Sequence, residues 1–245
     1  MIYEMRTYDL KPRTQAEFEK RFGEAYEKRK KYSPLAAFWH TEIGPLNQVI
    51  HVWPYKDIEE RNRIRAAAAK DGVWPPPTTE FIDNMRSEIF MPFSVSPELK
   101  PGKMGPFFEM RTYTHAAGDL PKLRAVWEKG VPERLKYSPL CAAWYSDLGG
   151  LNKFVHIWPY PSLDARMSIR EQTQTAGVWP PNAAKTVAFA GIQLQRTMWI
   201  FEGERIDDDA LRVGKGLYLE DVQPEARNRT SHRGEQSWLI HGQEG

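Results

Sequence analysis

Cysteine is almost absent. Cys141 stands alone in 245 residues, which excludes an intrachain disulfide and fits a reducing, cytoplasmic setting. Long apolar runs are missing too: no stretch approaches the roughly 18 residues that a membrane-spanning helix needs. Met1 leads straight into IYEMRTYDL, without the charged and apolar regions of a signal peptide, so no targeting segment is expected. Neither sign of charge dominates. The formal net charge is only +2, with Lys and Arg mixed among Asp and Glu, so no nucleic-acid partner is expected. What the chain does have is a 41% hydrophobic, aromatic-rich composition, enough for a substantial core in one large or two small domains.

It also has an internal repeat. EMRTY begins at Glu4 and again at Glu109, and the same offset of 105 residues carries KYSPL from Lys31 to Lys136 and GVWPP from Gly72 to Gly177 without a gap. A unit of this size is a small domain, so the pattern reads as a tandem duplication. The first copy spans residues 1–95 and the second 107–202. Between them, SPELKPGKMGP (96–106) is a linker whose Pro and Gly stop regular structure. From residue 203 to 245 the sequence has no counterpart in the first copy and alternates charges, so a disordered or loosely packed tail is expected.

Each copy reads as strand, helix, two strands, helix, strand. YEMRTYDL alternates with period two, Met5 on one face and Glu4, Arg6 and Tyr8 on the other; Glu109, Arg111 and Tyr113 repeat the pattern. Phe18, Phe22, Ala25, Tyr26 and Arg29, matched by Leu123, Trp127, Gly130, Val131 and Arg134, have helical spacing. Pro132 is expected to kink or shorten the second of these helices. LAAFWHTEIG and NQVIHVWPY form a hairpin turning at Gly44 and Pro45. Asp57 and Ser162 cap the second helices, and SEIFMPFSV and GIQLQRTMWIF supply the last strands. The order β-α-β-β-α-β is ferredoxin-like, an α+β class, present twice. Such a sheet has helices on one face only, so the two open faces are expected to meet as an intrachain α/β barrel. In that reading Glu4, Arg6, Tyr8, His51, Trp53 and Tyr55 face the barrel interior, with Glu109, Arg111, Tyr113, His156, Trp158 and Tyr160 opposite, while Met5, Ile50 and Val52 face the helices.

The chain resembles the NIPSNAP family at MRTY in each copy, at GPLNQVIHVWPY and GGLNKFVHIWPY, and at ERNRIR and ARMSIR, over roughly residues 1–200. The resemblance implies the dimeric α/β-barrel fold, here supplied by two domains of one chain. It implies little about activity. Animal members are associated with mitochondria, vesicle traffic and mitophagy, and with no transit peptide visible here that biology is not carried over. Related barrels include monooxygenases and haem-handling proteins, but fold alone assigns no reaction.

Two functions stay open. One is a pocket for a small hydrophobic or aromatic ligand between the sheets, lined by His51, His156, Trp53 and Trp158; the other is a non-catalytic interaction or scaffold protein whose barrel is filled. Whether the chain is an enzyme is left undecided. One recurring His per copy, His51 or His156, lacks the two-His spacing of a zinc helix, so no metal and no cofactor are expected. Arg61 with Arg65, and Arg166 with Arg170, lie four apart on a helical face with guanidiniums able to reach a carboxylate or carbonyl, either as anion clamps or as structural pairs. A homo-oligomer is compatible with every one of these readings.

Overall fold

The computed structural model describes residues 1–102, 104–181 and 188–197, all within one compact unit, residues 1–202. The expectation for the tail lies outside the described residues. The first copy comprises β1 (Ile2–Leu10), α1 (Gln15–Arg29), β2 (Ala37–Ile43), β3 (Gln48–Tyr55), α2 (Ile58–Lys70) and β4 (Ile82–Pro92). The second comprises β5 (Phe107–Thr114), α3 (Leu120–Arg134), β6 (Ala142–Leu148), β7 (Lys153–Tyr160), α4 (Leu163–Thr175) and β8 (Ala188–Thr197). Within each copy the strands run in the ferredoxin-like order, β2-β3-β1-β4 and β6-β7-β5-β8, and the copies join where β2 pairs with β8 and β4 with β6. Every pairing is antiparallel and the ring closes, so no described sheet edge is left unpaired.

Local chemistry accounts for the elements. Asp57 accepts from the backbone N–H of Glu60 at 2.8 Å and Ser162 from that of Ala165 at 3.0 Å, so both second helices start where an N-cap side chain replaces a missing backbone acceptor. The Glu60 carboxylate reaches back to the N–H of Lys56, one residue ahead of the cap. The hairpins turn through Asn47 and Asn152, both at φ 57°, a left-handed conformation that Asn tolerates. Pro132 neither shortens nor ends α3: α1 and α3 are both 15 residues long. Pro132 sits in the last turn, where few residues of helix remain to be disturbed.

Three apolar clusters result, and their membership reverses the expected faces. Tyr3, Met5, Trp39, Ile50, Val52 and Phe90 pack with Phe108, Met110, Trp144, Val155 and Ile157 in the barrel interior. The helix sides hold Tyr8, Phe22, Phe38, Trp53 and Tyr55 in one copy and Trp127, Phe154, Trp158 and Tyr160 in the other. Met5, Ile50 and Val52 therefore face inward, and the Glu4–Arg6–Tyr8 face meets the helices. The physical reason is charge. An interior ringed by sheet offers no counter-ion, whereas the helix face brings arginines to the buried carboxylates.

Aromatic pairs across the interior tie the copies together: Tyr3 stacks on Trp144 with centroids 4.4 Å apart, and Trp39 tilts against Phe108 at 5.5 Å. The linker takes part. Leu99 is buried in this cluster and its N–H donates to the Tyr3 hydroxyl at 3.0 Å, with Met104 packed alongside. Gly105 is needed where the chain passes close to β7, because a Cβ there would stand 2.8 Å from the carbonyl oxygen of Tyr160. Leu99→Ala is expected to cost about 2–4 kcal/mol in denaturant unfolding, as a core truncation does; a change under about 0.5 kcal/mol would mean that the segment is only a tether.

Candidate functional site

The retained residues converge beneath the helices of each copy. Glu4, Arg6 and Tyr8 alternate along β1, and antiparallel pairing sets Trp53 beside Glu4 and His51 beside Arg6. Glu4 is fully buried. Its Oε1 accepts from Arg61 at 2.7 Å, Ser87 at 2.8 Å and Arg6 at 2.9 Å, and Arg65 stands 3.6 Å away. Burial raises the Glu4 pKa, but the hydrogen bond from Arg61 and the charges of Arg65, Arg61 and Arg6 outweigh it and hold the group at about 2. Glu109 repeats the arrangement, with Arg166 bonded to it, Arg170 at 3.7 Å and Arg111 at 4.0 Å.

Arg29 and Arg134, on the buried phase of α1 and α3, extend each cluster. Arg29 donates to the Ser33 hydroxyl at 2.9 Å and to Tyr55 at 3.4 Å, with its guanidinium 4.6 Å from the centre of the Trp53 ring. Arg134 repeats this with Ser138, Tyr160 and Trp158. Both are buried with only neutral acceptors in hydrogen-bond range, hydroxyls and, for Arg29, the Ser33 carbonyl, so their pKa values are lowered, chiefly by desolvation. Trp74 closes the cluster against Phe22 and Trp53, as Trp179 does against Trp127 and Trp158. This is the packing role of the twin Trp-Pro-Pro turns.

The histidines are locked in this shell. His51 accepts from the Trp53 indole at Nδ1 (2.7 Å), so Nε2 carries the proton, and Tyr8, Phe22 and Phe38 surround the ring. His156 accepts from Trp158 at 2.8 Å in the same way. Desolvation first, then Arg6 or Arg111 nearby, pushes both pKa values well below the ordinary range. A neutral ring whose lone pair is already engaged by an indole is poorly placed as a general base.

The pocket candidates are thus brought together, but in two clusters under the helices, and none lines the space between the sheets. Arg61, Arg65, Arg166 and Arg170 join them from α2 and α4. Arg29, Arg134 and Ser87 were not among the candidate site residues, although the first two fall at the helical spacing of the apolar phase of both first helices, a usable signal. Among the described residues no three His, Cys, Asp or Glu side chains gather as a metal site. A surface groove of about 370 Å³ runs between α3 and the ends of β4 and β6, past Phe93, Leu120, Arg124 and Tyr145, away from both clusters.

The NIPSNAP family model matches residues 3–97 and again 108–202, the two copies just described. The chain belongs to the NIPSNAP family. A Dictyostelium discoideum NipSnap homolog is 29% identical over 76% of this chain and 82% of its own length. Mouse NipSnap homolog 3B is 30% identical over 69% of this chain and 71% of its own. A candidate monooxygenase from Lactobacillus acidophilus is similar in fold alone, at 8% identity and a TM-score of 0.52 over 80% of this chain and 92% of that one. Among the described residues no helix is long and apolar enough to cross a membrane.

The histidines give a pH signature. Their folded pKa values are depressed, so the unfolded chain binds more protons below about pH 6.5, and stability falls with falling pH by up to about 1.4 kcal/mol per unit for each ring. His40 has the opposite sign: burial would lower it, but Glu19 and Glu42 raise it. The comparison is therefore made between proteins. His51→Gln is expected to cost about 1–2 kcal/mol at pH 7.5, with the gap to wild type shrinking by about 1 kcal/mol at pH 5.5. Chemical denaturation at the two pH values measures it; a pH-independent gap would mean that His51 is not held neutral.

Proposed function

We propose that this NIPSNAP protein is a non-catalytic binding protein whose barrel interior is structural core. One observation carries the reading: side chains of both copies and the linker occupy the interior, with Trp39, Trp144, Tyr3 and Phe90 all fully buried there. The neutral, indole-bonded histidines support it by offering no free base. A cytoplasmic setting belongs to the same reading and rests on the lone Cys141, buried in the barrel with its thiol pushed up to about 12 by desolvation.

The reading with a hydrophobic ligand between the sheets has one observation in its favour. The indole N–H groups of Trp39 and Trp144, at equivalent positions in the interior, have no hydrogen-bond partner, as donors awaiting a ligand acceptor would. The neutral dye Nile red and the variant Trp144→Ala separate the two. A filled core predicts no saturable dye binding and a stability loss of about 3–5 kcal/mol. Stoichiometric dye binding by the wild type, lost in the variant at little cost in stability, would establish the pocket instead.

A further inference from the structure

Each cluster gathers several arginines around one buried carboxylate. The ionic contacts of Arg6, Arg61 and Arg65 all end on one oxygen of Glu4, whose Oε2 accepts no hydrogen bond among the described residues. Buried Arg29 lies within Coulombic range of both Glu4 and Arg65. Three guanidiniums thus meet one carboxylate, an excess of two positive charges among the described residues with Arg29 nearby, and Arg111, Arg166 and Arg170 reach Glu109 with Arg134 nearby. Like charges gathered in a half-buried space destabilise it unless an anion is added.

The donors point to where that anion sits. Arg65 is 34% exposed and Arg170 27%, and neither side chain makes a hydrogen bond among the described residues. Each stands beyond hydrogen-bond distance of its carboxylate, whose nearer oxygen in the first copy already accepts three bonds. Buried Arg29 and Arg134 also leave Nε without an acceptor. The shelf is open on one side. Arg6 and Tyr8 pair with Ser87 and Met85 of β4, and the stretch Asp83–Ser87 is exposed. The arginines recur at an offset of 105 residues, whereas their neighbours on α2 and α4 change, Glu60 to Ala165, Asn62 to Met167 and Arg63 to Ser168.

We propose that each copy carries an oxyanion site in which the Arg61–Arg65 pair of α2, and the Arg166–Arg170 pair of α4, grip an external carboxylate or phosphate beside the buried glutamate. Guanidiniums four apart on a helix can present forked donors to two oxygens of one group. The site lies outside the barrel and does not depend on whether the interior is filled.

The test is calorimetric titration of the full chain with inorganic phosphate and, separately, with acetate, in chloride buffers of matched ionic strength. Saturable binding of either ion at about two equivalents per chain is expected, and the ion that binds identifies the preferred chemistry. Arg65→Gln should leave one equivalent and Arg65→Gln with Arg170→Gln none, with circular dichroism confirming the fold. Should the double variant not fold, Arg65→Lys with Arg170→Lys, which keeps charge but loses the fork, is expected to bind at least about 10-fold more weakly. Absence of saturable binding of both ions up to about 20 mM, or undiminished binding in the folded variants, would overturn the site.

Discussion

A buried carboxylate decides which way each sheet faces. Glu4 and Glu109 are fully excluded from solvent, and an ionised carboxylate in such a place survives only beside positive charge and hydrogen-bond donors. Beyond the strand partners Arg6, Ser87 and Arg111, the added positive charge comes from α2 and α4. Because strand side chains alternate, fixing Glu4 under the helix also sends Arg6, Tyr8, His51 and Trp53 there and turns Tyr3, Met5, Ile50 and Val52 the other way. The apolar residues then have one way to leave water, which is against the same face of the second copy.

Closure follows from that meeting. A single four-stranded sheet of this kind would expose an apolar face and two edges. Pairing β2 with β8 and β4 with β6 removes both liabilities at once. The linker then has to run from β4 to β5 past the barrel, and Leu99 makes use of that passage by filling the interior beside Tyr3. The connection between the domains is therefore part of their shared core.

Much of the fold was legible in the sequence because it depends on periodicity and on repetition. The alternation in EMRTY, the helical spacing of Phe18, Phe22 and Tyr26, and the caps at Asp57 and Ser162 each specify a local conformation, and the offset of 105 residues specifies that it occurs twice. The grouping of Glu4, Arg6, His51 and Trp53 was legible for the same reason. Their direction was not read correctly, because alternation separates two faces without saying which of them meets the helices. The arginines held the answer: Arg61 and Arg65 on a helix can reach a carboxylate only if that carboxylate lies on the helix side. Arg29 was legible only as a member of the apolar stripe of α1, because its stacking on Trp53 is a tertiary contact without a sequence period. Ser87 comes from a distant strand and carries no local signal at all.

The duplication also explains why some residues stayed fixed while others drifted. Apolar packing asks for total volume, and volumes can be traded: Ile50 and Val52 of the first copy answer to Val155 and Ile157 of the second, and Phe38 with Val49 to Ala143 with Phe154. The cross-copy aromatic pairs relax further, since Tyr3 meets Trp144 while its counterpart Phe108 meets Trp39. Directional bonds allow no such trade. An indole donating to His Nδ1, a guanidinium stacked on that indole, and a carboxylate held by helix arginines each need a particular atom at a particular place. His, Trp, Tyr, Glu and the arginines therefore appear twice unchanged because the polar clusters are specified residue by residue, and the barrel between them only as a sum.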